Sequence, residues 1–256
     1  MSVLDIFRLD GKTAIVTGGG RGLGAFIAET YAQLGANVVV CSRDIEACEE
    51  MRKKLQSYGV DALAFRCDVT NMEEVQHVVK ETKAHFGSID ILVNNSGASW
   101  AAPVEKMPKE AWDKVLNVNV TGTFLMSQAV GNVMIEQKSG KIINIASTAG
   151  FGGTPNFMQT IGYNTSKGAV MTFTKDLAVK WGPYNIHVNA IAPGFIPTKM
   201  SSALIDYGKE KILESTPLGR IGVHDDLQGA AIFLASSASD YITGDILTVD
   251  GGMHAL

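Results

Sequence analysis

The chain has 256 residues, 46% of them hydrophobic and 19% charged, with a formal net charge of −4. That is ample apolar material for a large core, so general disorder is excluded, and no Lys/Arg cluster of the kind that neutralises phosphates is present, which excludes nucleic acid as a partner. No run of about 18 apolar residues suits a membrane span, and the opening stretch MSVLDIFRLDGK is too polar and too early charged for a secretory signal.

Short β-branched runs alternate with longer amphipathic stretches. Strands are predicted at Thr13–Thr17, Asn37–Cys41, Ala62–Arg66, Ile89–Val93, Lys141–Ile145, His187–Ile191 and Ile246–Val249. Several are apolar almost throughout, as strands covered on both faces should be. Helices are predicted between them at Leu23–Leu34, Ile45–Tyr58, Met72–Phe86, Lys109–Glu136, Tyr163–Trp181 and Asp225–Ala235. Strand–helix repetition implies right-handed crossovers. The expectation is a single α/β domain over residues 1–256, a Rossmann-type doubly wound parallel sheet with strands in order 3-2-1-4-5-6-7. Two stretches, Phe151–Gly162 and Pro193 to about Ser215, interrupt the alternation and are expected to be substrate loops. Each follows a strand, and ligands in open α/β sheets bind beyond the carboxyl ends of strands.

The first strand runs into Thr17-Gly18-Gly19-Gly20-Arg21-Gly22-Leu23-Gly24 and then into a helix. Glycines allow a sharp turn and close approach to a pyrophosphate, which the helix N-terminus attracts. Position 42, where a carboxylate would bind a ribose 2′-OH, holds Ser42, and Arg43 follows it. Arg21 and Arg43 together suit a 2′-phosphate, so NADP(H) is expected over NAD(H). Asp44 stands close enough that a loop shift would bring its carboxylate to the ribose. Tyr163 and Lys167 are four residues apart in a predicted helix and share a face. A neighbouring ammonium favours a phenolate, which makes this pair a candidate proton donor and acceptor.

The spacing Gly18, Gly22, Gly24, with Ser147, Tyr163 and Lys167 in that order and Asp250-Gly251-Gly252 near the end, resembles the short-chain dehydrogenase/reductase family along nearly the whole chain. The resemblance implies hydride transfer between a nicotinamide and a carbonyl or secondary alcohol, and a homotetramer paired through the helices at Lys109–Glu136 and Tyr163–Trp181. It implies that Ser147 holds the substrate oxygen beside Tyr163, and that Asn119 holds a water linking Lys167 to solvent. It also implies that Tyr163 and Lys167 touch the nucleotide, that Asp68 and Val69 contact the adenine, and that Asn95 and Gly97 shape the adenine and ribose floor. Pro193, Gly194, Ile196 and Thr198 would close over the nicotinamide. Ser147 and Tyr163 stand farther apart than is usual in the family, and the surplus lies within Phe151–Gly162.

For the substrate, two resemblances pull apart. Ser42-Arg43-Asp44, Gly97-Ala98-Ser99-Trp100 and Phe195-Ile196-Pro197-Thr198 resemble 3-oxoacyl reductases, including the rhamnolipid-pathway type. Ser236-Ser237-Ala238-Ser239-Asp240 and Asp250-Gly251-Gly252-Met253 resemble gluconate 5-dehydrogenases. Apolar candidates Phe151, Phe157, Met158, Phe195 and Met200 rank an acyl thioester first and a sugar acid second. A nucleotide-bound sensor without catalysis is the remote alternative. Cys41, Cys48 and Cys67, odd in number and without CxxC spacing, read as reduced thiols of a cytoplasmic protein. The five histidines show no metal-ligand spacing, and His77, His85, His187, His224 and His254 read as surface or packing residues.

Overall fold

The computed structural model describes residues 3–199 and 201–255. Seven strands form one sheet: β1 (Thr13–Thr17), β2 (Asn37–Ser42), β3 (Ala62–Arg66), β4 (Ile91–Asn94), β5 (Gly140–Ile145), β6 (Ile186–Pro193) and β7 (Ile246–Val249). Their order is β3-β2-β1-β4-β5-β6-β7, with every neighbouring pair parallel. The helices are α1 (Gly22–Gln33), α2 (Ile45–Gln56), α3 (Met72–Phe86), α4 (Lys109–Leu116), α5 (Gly122–Gln137), α6 (Ile161–Trp181), α7 (Ser202–Glu214) and α8 (Gln228–Ala235).

The two-residue period of the strands divides the core into two layers. Val16, Val38 and Val40 pack with Ile27 and Tyr31 of α1, Leu55 of α2 and Leu234 of α8. Ile15, Val39 and Cys41, on the alternate positions, pack with Val75 and Val78 of α3, Met126 and Val130 of α5 and Leu177 of α6. Local chemistry sets the helix ends. Asn71 caps α3 by accepting from the amides of Glu73 and Glu74, and Gly87 ends it at φ +78°.

Three expectations change. The predicted helix Lys109–Glu136 is two helices, α4 and α5, joined by a π turn over Asn117–Thr121. The turn holds Asn119, 1% exposed, whose amide is bonded to the Ala98 backbone and to Ser166; these distant partners outweigh regular helical geometry. The predicted start of a helix at Asp225 is a 3-10 turn, His224–Leu227, because the Asp226 carboxylate is bonded to the Val223 amide and to Arg220. The stretch from Pro193 to Ser215 is mostly α7, whose Ile205 and Ile212 are buried. Met200, a sequence candidate for the pocket, lies outside the described residues.

Candidate active site

All the candidate elements converge on the carboxyl edge of the sheet. Gly18 and Gly22 have φ of +64° and +57°, values that strain any residue with a Cβ. At Gly24 the demand is steric. A Cβ there would stand 2.3 Å from Asn95 Nδ2 and 2.5 Å from the Gly18 carbonyl oxygen. Asn95 Nδ2 donates to the carbonyls of Thr17 (2.9 Å) and Gly18 (3.3 Å), while Thr17 Oγ1 accepts from the amides of Asn95 and Ser96 at 3.0 Å each. Asn95 therefore braces the glycine turn across the crevice between β1 and β4, where the strand order reverses. No side chain caps the first turn of α1, whose amides are thus left for an anion. Leu23 packs back on the core, and Thr198 comes over the turn, with its Cγ2 3.9 Å from where a Gly22 Cβ would be.

At the end of β2, the Ser42 hydroxyl donates to the Asp44 carbonyl (3.0 Å). Asp44 itself caps α2 through the Ala47 amide (3.1 Å) and pairs with Arg21 (2.8 Å). Its carboxylate is engaged, which leaves Arg43, exposed and without an ion pair among the described residues, as the cation at this edge. Asp68 accepts from the amide and hydroxyl of Thr70 (3.0 and 2.8 Å). Its burial raises the carboxyl pKa, but the Thr70 bonds and the positive charge of Arg43 and Arg66 outweigh that and hold it below the usual range. Val69 is buried against Gly122, where a Cβ would meet Val69 Cγ2 at 2.6 Å. Gly97 lies beside Asn119. An open first turn and glycines pressed against backbone fit a dinucleotide.

Ser147 follows β5, and its Oγ accepts from the Ala149 amide (3.2 Å). Tyr163 and Lys167 lie on one face of α6, with Nζ 5.5 Å from the phenol ring centroid. Lys167 is 5% exposed and donates to the Ile145 carbonyl (2.6 Å). Burial pushes its pKa down to about 8. The Tyr163 phenol has its pKa above the ordinary value, because burial outweighs the hydrogen bond from Ser147. Asn119 stands behind this group, one residue removed from Lys167 through Ser166, whose Oγ accepts from Asn119 Nδ2 at 2.8 Å. Its side chain is fully engaged by protein, with Oδ1 accepting from the Ala98 amide (2.7 Å).

Ser147 and Tyr163 line a cleft of about 780 Å³. One wall is the loop after β5, with Phe151, Phe157 and Met158; another is the end of β6 and α7, with Gly194, Phe195 and Leu204. Pro193 ends β6, Gly194 donates its amide to the Val249 carbonyl (2.9 Å), and Ile196 is 4% exposed. Trp100 is 46% exposed and does not line this cleft, whereas Trp181 packs on Gly131 and Trp112 on Gly162. Lys211, Ser99 and His254 do line it, and sequence reasoning missed all three. His254 carried no motif, and Lys211 lay in a stretch read as a loop.

The family profile described as enoyl-(acyl carrier protein) reductase matches residues 18–254. The chain belongs to the short-chain dehydrogenase/reductase family. It is 36% identical to gluconate 5-dehydrogenase of Gluconobacter oxydans (strain 621H), over 99% of this chain and 98% of that one. It is 41% identical to a 3-oxoacyl-[acyl-carrier-protein] reductase of Chlamydia trachomatis, over 94% and 97%. The crystal structure of a gluconate 5-dehydrogenase from Burkholderia cenocepacia J2315 in complex with NADP and tartrate is 38% identical, with a TM-score of 0.95 over all of both chains. The chain is thus an oxidoreductase of CH–OH and C=O groups that uses a nicotinamide nucleotide. Among the described residues, no helix is long and apolar enough to cross a membrane.

Proposed function

We propose that the chain is an NADP(H)-dependent oxidoreductase in which Ser147, Tyr163 and Lys167 act on the substrate oxygen. The observation that carries this reading is that Ser147 and Tyr163 line one cleft, with the buried Lys167 ammonium 5.5 Å from the Tyr163 ring centroid. When bound, the nicotinamide exchanges a hydride with the substrate carbon. The Tyr163 phenol, held protonated by burial, donates its proton to a carbonyl oxygen as the carbon is reduced. The Ser147 hydroxyl fixes that oxygen and stabilises its developing charge. Lys167, with a pKa of about 8, exchanges protons near neutral pH, and Asn119 keeps α6 in register through Ser166. Gly18, Gly22, Leu23 and Gly24 receive the pyrophosphate; Ser42, Arg43 and Arg21 the 2′-phosphate; and Asp68, Val69, Asn95 and Gly97 the adenosine. Pro193, Gly194, Ile196 and Thr198 face the nicotinamide. Arg43 favours NADP(H), the nucleotide present in the B. cenocepacia structure.

Two substrates fit this chemistry. Phe151, Phe157 and Met158 suit the chain of a 3-oxoacyl thioester, the substrate named for the C. trachomatis relative. Ser99, Asn156 and Ser201 in the same lining suit a sugar acid, as named for the G. oxydans relative. Three buried, unpaired cysteines accord with a cytoplasmic enzyme. Exposed Phe124 on α5 and Val179 on α6 accord with a homotetramer, which light scattering would test; a monomer at micromolar concentration would refute it. The test of the catalytic reading is Tyr163→Phe. Turnover should fall at least about 10²–10⁴-fold while NADPH binding persists. Near-full activity would overturn the assignment and favour a sensor.

A further inference from the structure

The cleft above Tyr163 is lined unevenly. Among the described residues its lining includes Lys211 and His254 and not one Asp or Glu. Both groups are set by aromatic rings from the same loop. Lys211, on the exposed face of α7, holds Nζ 5.2 Å from the centroid of the Phe157 ring. His254 stacks on Phe151, with ring centroids 5.3 Å apart and planes 21° apart.

Each ring is itself held in place. Phe157 lies against the backbone of α7 at Gly208, where a Cβ would stand 2.5 Å from its Cε2. His254 is fixed on its other side by Asp250, whose nearly buried carboxylate takes both the Nδ1 contact (2.9 Å) and the backbone amide (2.8 Å). That leaves His254 Nε2 without a protein partner among the described residues. Lys211 likewise has no carboxylate partner there; its nearest helical acid, Glu214, does not pair with it. An ammonium without a carboxylate partner and an imidazole with its Nε2 unpartnered thus border one cleft, each set against an aromatic ring.

From this we infer that Lys211 and His254 form a carboxylate-binding subsite, and that the substrate is an oxo acid or hydroxy acid with its carboxylate set away from the reacting carbon. The inference rests on the hydride-transfer reading above. An ammonium without a carboxylate partner makes charge-assisted hydrogen bonds to a ligand carboxylate, and the polar groups nearby, Ser99 and Asn156, suit hydroxyls between the two ends.

The test compares kcat/KM with NADPH for 5-keto-D-gluconate and for an uncharged ketohexose of the same chain length. The unmutated protein should prefer the acid by at least about tenfold. Lys211→Met should shrink that preference by roughly 10–150-fold, the loss of one charge-assisted bond. Lys211→Arg, which keeps the cation, should restore most of it. His254→Phe, which keeps the stack on Phe151, should shrink it by a smaller factor. Thermal melting and NADPH affinity establish that each variant is folded. An unmutated protein without preference for the acid overturns the subsite, as does a Lys211→Met protein whose preference is unchanged. A third arm uses acetoacetyl-coenzyme A and a short uncharged acetoacetyl thioester. If Lys211→Met weakens only the coenzyme A ester, the cation reads a carrier phosphate and the inference is overturned. Turnover of neutral ketones without acids sinks the subsite alone, whereas no turnover of any carbonyl compound sinks the hydride-transfer reading.

Discussion

Lys167 makes the protein's stability depend on pH in a way that can be isolated. The side chain is almost wholly buried, and burial lowers its pKa from 10.5 to about 8. In the unfolded chain the amine titrates at its ordinary value. Below pH 8 both states are protonated and the folded state bears the full desolvation cost, about 3 kcal/mol for a shift of this size. Between the two pKa values the unfolded chain binds more protons, so stability rises with pH; above 10.5 the cost is gone. Lys167→Met removes the titration. It also removes the bond to the Ile145 carbonyl and changes packing, but those effects are independent of pH. The stability of the variant minus that of the unmutated protein should therefore fall by about 2 kcal/mol between pH 7 and pH 9.5. Urea unfolding without nucleotide, at half-unit pH steps, measures this. Stopping near pH 9.5 avoids the Tyr163 phenol, whose pKa is raised. A difference that stays flat across the range would refute the reasoning and show Lys167 to be solvated.

Gly24→Ala drives a methyl into Asn95 Nδ2 and the Gly18 carbonyl. Overpacking and the loss of the Asn95 bonds should cost roughly 2–4 kcal/mol, with a fall in Tm and in NADPH affinity; an unchanged melt would show that the turn yields freely. Arg43→Ala should remove most of a preference for NADPH over NADH, a loss of roughly 1.5–3 kcal/mol in the Kd difference. Equal affinities in the unmutated protein would reassign the ribose site. Hydrogen exchange of Thr198–Leu213 should slow on binding NADPH, most of all near Thr198, which borders Gly22; equal, strong protection in both states would make the segment a fixed wall.

The parts of the site legible in the sequence are those made by neighbours along the chain. The glycine turn is a contiguous string, and Tyr163 and Lys167 meet because helical residues four apart share a face. The alternation of strands and helices also carried the sheet order, since crossover handedness leaves few choices. What stayed hidden depends on contacts distant in sequence. The brace from Asn95 to Thr17 spans β1 and β4, and its chemistry looks the same in the sequence as a nucleotide contact. The π turn at Asn119 exists because Ala98 and Ser166 bind that amide, and neither is near it in the chain. Helix α7 was read as part of a loop because Pro193, Pro197, Gly194 and Gly208 punctuate the stretch; it is seated by Phe157 against Gly208 and by buried Ile205 and Ile212. Lys211 and His254 meet only through the loop from residue 151 to 160.

This contrast bears on how one scaffold serves different substrates. The proposed reacting group sits at the end of β5, in the π turn and on α6, and each member is tied to backbone: Lys167 to Ile145, Asn119 to Ala98, and Ser147 to Ala149. Moving any of them would leave interior polar groups unpaired, at about 1–3 kcal/mol each. The roof of the cleft is joined to the body differently. Phe151 rests on His254 and Phe157 on Gly208, contacts of ring against ring or ring against backbone that replacement side chains can reproduce in other shapes. Substitutions there alter the charge and polarity above Tyr163 at little cost to the catalytic geometry. Relatives named for a sugar acid and for an acyl thioester share 36% and 41% of this sequence at nearly full length. That is the outcome expected when chemistry is fixed by the sheet edge and selection is left to two pinned segments. On this view the residues that decide the substrate are Lys211, His254 and the aromatic rings that hold them.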